Sequence, residues 1–198
     1  MPLGFDGNLV ACVKRKLFLV MTLCAAVVGV LVTTASVMKP PEIHPKMALR
    51  SNAFKDGEPL PILYTCDDKN ISPPLAWTGA PSETASLVLI VDDPDAPTGV
   101  WTHWIIFNLP ADASGLAEDA AKSDSAMKSA RQGLNDFKNL NYGGPCPPKG
   151  NLHRYFFKIY ALDTVINLPA GASRTQVETA MTKHILAAGQ LMGTYQRK

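Results

Sequence analysis

Ser86-Leu-Val-Leu-Ile-Val91, then Asp92-Asp-Pro-Asp-Ala-Pro-Thr-Gly-Val-Trp-Thr-His103, then Trp104-Ile-Ile-Phe-Asn-Leu109 follow one another without a break. The outer runs are rich in β-branched and aromatic residues, and both predict strands. The segment between them is acidic and proline-rich, so it predicts a loop at the end of a sheet. Its carboxylates cannot be buried unpaired without a large desolvation cost. They must face water or hydrogen-bond something specific. The loop is therefore either a plain turn or one wall of a site.

Other β signals lie on both sides of this segment. Pro59-Leu-Pro-Ile-Leu-Tyr64 reads as an edge strand, where proline is tolerated because no ladder N–H is needed. Leu75-Ala-Trp77 is a short strand. Residues 111–133 hold Ala, Ser, Lys and Asp without a helical stripe, which predicts a long surface loop with at most one helical turn. His153-Arg-Tyr-Phe-Phe-Lys-Ile-Tyr-Ala-Leu162 is a strong strand whose imperfect alternation predicts burial on both faces. Near the C-terminus, Ser173 and Gln176 form a capping box. The helix they open is expected to carry Val177, Met181, His184, Ile185 and Ala188 on one face and to stop at Gly189, with Leu191 to Tyr195 docking on the sheet. On that face His184 is expected to be a packed core residue rather than a ligand. The 16 prolines and 14 glycines suit such a β-rich chain.

The 198 residues suggest one domain preceded by a tail. Lys14-Arg-Lys16 precedes an uncharged run from Leu17 to Met38. Residues 1–38 thus read as a signal peptide, with Thr33-Thr-Ala35 as a cleavage site, or as an N-terminal membrane anchor over 17–38. Either predicts an exported body, periplasmic or extracellular, on the side opposite the positive flank. Residues 39–47, with Pro40, Pro41 and Pro45, read as a linker, and 48–198 as the folded domain. Residues 1–35 contain Lys14, Arg15, Lys16 and Asp6, which leaves 16 basic and 16 acidic side chains beyond them. That balance argues against nucleic acid as a partner. Cys66 and Cys146 are the two cysteines of the body, and in an oxidising compartment they could pair if their loops adjoin.

Gly143-Gly-Pro-Cys-Pro-Pro-Lys-Gly150 invites comparison with a phosphate loop, but it lacks the required pattern, and its prolines remove the N–H donors such a loop uses. It predicts a rigid turn that could wall a pocket. His103 and His153 each follow a loop of this kind. If the two loops meet, two imidazoles converge with Asp93 or Asp95. Imidazoles oriented by carboxylates can donate to an anion such as a phosphate ester. The same set could hold a metal, although no metal-binding spacing is present. A hydrolase is a further option, without a Gly-x-Ser-x-Gly elbow to support it. The histidines could also do no more than satisfy loop backbones.

Asp93-Pro-Asp-Ala-Pro97 with Thr102-His-Trp104, and Gly144-Pro-Cys-Pro-Pro-Lys-Gly150 with His153-Arg-Tyr155, resemble the phosphatidylethanolamine-binding protein family, in particular its bacterial, Raf kinase inhibitor-like branch. Tyr64-Thr-Cys66, Ile71-Ser-Pro-Pro-Leu-Ala-Trp77, Asn135-Asp-Phe137 and His184-Ile-Leu-Ala187 extend the resemblance over residues 47–196. The resemblance implies a two-sheet antiparallel Greek-key sandwich with a C-terminal helix. It also implies a small anion pocket lined by Asp93, Asp95, Pro97 and His103 on one side and by Pro147, Pro148, His153 and Tyr155 on the other. Cys146 stands where animal members have glycine. The implied function is binding of a small anionic ligand or phospholipid head group, without a cofactor or catalysis. The alternative is an inhibitor or signalling modulator acting on a protein target such as a protease or an envelope partner.

Overall fold

The computed structural model describes residues 46–120 and 125–198. The leader reading, and all of the linker before Lys46, lie outside them. Among the described residues, eight strands form two antiparallel sheets. A three-stranded sheet has the order β1 (Ala48–Arg50), β2 (Leu75–Thr78), β5 (Gly115–Leu116). A five-stranded sheet has the order β6 (Arg131–Gln132), β4 (Trp101–Pro110), β3 (Ser86–Asp93), β7 (Leu152–Leu162), β8 (Ile185–Gln196). A helix, α1 (Arg174–Met181), covers the outer face of the larger sheet.

Strand β3 explains the layering. All eight of its residues are buried, and they alternate between two cores. Leu87, Leu89 and Val91 face the smaller sheet, where they meet Leu49, Leu75, Trp77 and Leu116. Val88 and Ile90 face α1 and meet Val177 and Met181. A continuous apolar run is what such a two-sided position requires. Strand β7 was expected to be buried in the same way. Instead His153, Tyr155, Phe157, Ile159 and Ala161 are buried, while Phe156, Lys158 and Tyr160 are only half covered.

Five further expectations are corrected. Pro59–Tyr64 is not an edge strand: Pro59 makes a single bridge to Thr194, and Ile62–Tyr64 is a 3-10 turn. Prolines at 59 and 61 remove alternate N–H donors, so no ladder can propagate. The helix opened by Ser173 has both halves of its capping box, but it ends at Met181. Ile185 to Gln196, including Ala188 and Gly189, is strand β8, paired along all of β7. His184 is accordingly no core residue; it is 44% exposed and its Nδ1 lies 2.7 Å from Asp163 Oδ1. The 111–133 segment carries β5, β6 and a 3-10 turn at Ser125–Lys128. Finally, Met47 is fully buried and its N–H donates to Ala188 O, so the folded body takes in two residues read as linker.

Candidate functional site

Strand parity separates the two aspartates at the end of β3. Asp92 continues the α1 face, where it is 1% exposed and held by Lys158 Nζ at 2.8 Å and Arg174 at 3.0 Å. Asp93 continues the inter-sheet face and emerges beyond the core. On β4, Val91 pairs with Trp104 and Asp92 with Thr102, so the register slips by one residue at His103. Such a bulge re-aims a side chain. Here it lets Trp101, opposite Asp93, and Trp104, opposite Val91, share a face, with His103 as the extra residue between them.

The 142–150 loop is fastened across this bulge. Gly143 N–H donates to His103 O, and His103 Nδ1 lies 2.6 Å from Gly143 O. A carbonyl can only accept, so Nδ1 carries the proton and Nε2 is left for the cavity. Gly144 N–H donates to Asn70 Oδ1, Cys66 N–H donates to Pro145 O, and Cys66 and Cys146 are bridged by a disulfide. Glycine is required at 143 because a Cβ there would meet the Phe137 ring at 2.5 Å. Phe137 is itself positioned by Asn135, whose amide donates to His103 O and Asn141 O.

His153 approaches from the free end of β7. Its Nδ1 donates to Asp93 Oδ2 at 2.7 Å, while Asp93 Oδ1 accepts from Asp95 N–H at 2.8 Å. Both histidines are 3% exposed. Together with Asp93 they line one cavity of about 230 Å³. Pro97, Pro147 and Pro148 form its stiff walls, and Trp101 and Phe137 its aromatic ones. Ala96, Thr98 and Cys146 complete the lining.

Six of the eight expected residues therefore meet at this cavity. Asp95 and Tyr155 do not line it. Asp95 turns outward into a two-pronged pair with Arg154, at 2.7 and 2.9 Å, and this pairing holds its carboxyl below the usual range. Tyr155 lies one strand step deeper than His153, with its ring 5.2 Å from that of His103, and it forms the floor behind the histidine. Trp101, Phe137, Ala96 and Thr98 were missed, and Cys146 was noted only as standing in place of a glycine. Trp101 was readable, since it sits two residues before His103. Phe137 depends on hydrogen bonds between residues 32 apart, and no local pattern announces those.

Burial pushes the His103 pKa below the usual histidine value, against the opposing pull of Gly143 O and Asp93. Burial, reinforced by Asp93, pushes the Tyr155 hydroxyl up. Trp101 Nε1 is a buried donor without a protein acceptor. Among the described residues, no three His, Cys, Asp or Glu side chains are grouped to hold a metal. Both oxygens of Asp93 are already engaged.

The sequence profile of the phosphatidylethanolamine-binding protein family matches residues 50–196. The chain belongs to that family. It is 52% identical to a UPF0098 protein of Methanothermobacter thermautotrophicus over 76% of this chain and 99% of the relative. Among phosphatidylethanolamine-binding protein structures, it superposes on the Chlamydia trachomatis homolog CT736 with a TM-score of 0.71 at 44% identity, covering 77% of this chain and 99% of that one. It also superposes on Escherichia coli YbcL, described as a member of the mammalian family, with a TM-score of 0.72 at 36% identity and the same coverage. The two-sheet family fold thus accounts for the whole described body.

Proposed function

We propose that this phosphatidylethanolamine-binding protein family member binds a small ligand through a phosphate or carboxylate group, a phospholipid head group being one bearer. The observation that carries this reading is the convergence of His103, His153 and Asp93 on one proline-walled cavity of about 230 Å³. That volume suits a head group rather than a drug-sized molecule. His153, backed by the Asp93 carboxylate, can carry an N–H on Nε2, and Trp101 Nε1 is a second donor in need of an acceptor. The body works in an oxidising compartment in this reading, as the Cys66–Cys146 bridge favours. The role is binding rather than turnover.

Titration with phosphoethanolamine, followed by the imidazole NMR signals, tests this. Shifts at His103 and His153 are expected, and they should vanish in His153→Ala. Unmoved signals would overturn the proposal. Release of inorganic phosphate during the titration would replace binding with catalysis.

A further inference from the structure

His103 and His153 are not equivalent partners for an anion. Each uses Nδ1–H internally, toward Gly143 O at 2.6 Å and Asp93 Oδ2 at 2.7 Å. The partner of His103 is a neutral carbonyl, and its ring is packed edge-on between Phe137 and Tyr155, at 5.3 and 5.2 Å. The charges of Asp93 and Asp92 pull toward a second proton, but burial between the two rings outweighs them, so its Nε2 presents a lone pair. The partner of His153 is a carboxylate, which can balance an imidazolium, so its Nε2 can present an N–H. The two imidazoles thus offer one acceptor and one donor, beside the unpartnered indole N–H of Trp101. We propose that it selects an acid group carrying both a hydroxyl and an ionised oxygen, a phosphomonoester monoanion, over a phosphodiester. A monoester monoanion gives its P–OH hydrogen to His103 and accepts from His153. A diester has no hydroxyl, and its oxygens would face the His103 lone pair.

This rests on the anion-binding reading above and narrows it, because the head group of an intact phospholipid is a diester. The test is calorimetry of the full chain with methyl phosphate and dimethyl phosphate at about pH 6, where a monoester is partly monoanionic. Methyl phosphate should bind about tenfold to a hundredfold more tightly, the scale of a buried acceptor left unpaired. His103→Phe, which keeps a ring between Phe137 and Tyr155, should erase the preference. In the unmodified protein, the His103 Nε2 resonance should stay at its unprotonated position when methyl phosphate binds. Equal binding of the two esters, a preference that survives in His103→Phe, or a protonated Nε2 in the complex would overturn the selectivity and leave the pocket standing. Failure of both esters to bind would overturn the anion-binding reading itself.

Discussion

The ionisation of His103 is set by its surroundings. Desolvation holds its pKa below that of the unfolded chain, about 6.5. The stability that rests on the neutral ring is therefore complete above that value and is lost as pH falls toward the lowered one. Thermal unfolding should show wild type losing stability relative to His103→Phe as pH falls below about 6.5. A gap that stays constant or widens in acid would contradict burial as the cause. The aspartates make a second prediction. Asp95→Asn weakens a surface pair with Arg154, worth about 0.2–1 kcal/mol, keeps an oxygen for the Arg154 backbone N–H, and should leave ligand affinity within about twofold. Asp93→Asn removes the charge behind His153 and should weaken binding about tenfold or more, read by the same titration. The motif Asp93-Pro-Asp-Ala-Pro97 marked the right loop in the sequence, but not which carboxylate turns inward. That depends on strand parity and on Arg154, whose position is set by β7.

At the scale of elements, the strands around the loop were legible because their apolar runs are long. The 185–196 segment was not. Its inward positions are Ala187, Gly189, Leu191 and Gly193, and small residues conceal the period of two. The capping box at Ser173 then invited a helix as far as Ala188, with a stop at Gly189. Gly189 and Gly193 are there for close packing, against the backbone of Met47 and the side chain of Leu60. Gly189→Ala would push a Cβ into Met47 O. In urea unfolding it should cost about 1–3 kcal/mol, the scale of overpacking. A loss well below that would mean that the Met47 backbone moves aside and the approach is not a tight one.

At the scale of the molecule, a β-rich body could be read from its strands and the two-sheet sandwich from the family motifs, but the packing of distant loops could not. Cys66 and Cys146 were a candidate pair from composition alone; what unites them is the 142–150 loop lying against the 65–70 turn, held also by the Cys66 N–H and Asn70. The bridge spans 80 residues of sequence, so cross-linking restricts the unfolded chain by about 4.5 kcal/mol in the loop-entropy limit, with about 2–4 kcal/mol usual in practice. For a domain of this size that corresponds to roughly 5–15 °C in Tm. Paired replacement, Cys66→Ser with Cys146→Ser, should lower Tm by that amount, and reductant should have no further effect on the double variant. Cys146 is also part of the cavity wall, so affinity should fall as well. The fall should be modest, because the two bonds between Gly143 and His103 hold the loop independently of sulfur. A double variant that melts like wild type would mean that the backbone contacts alone fasten this corner.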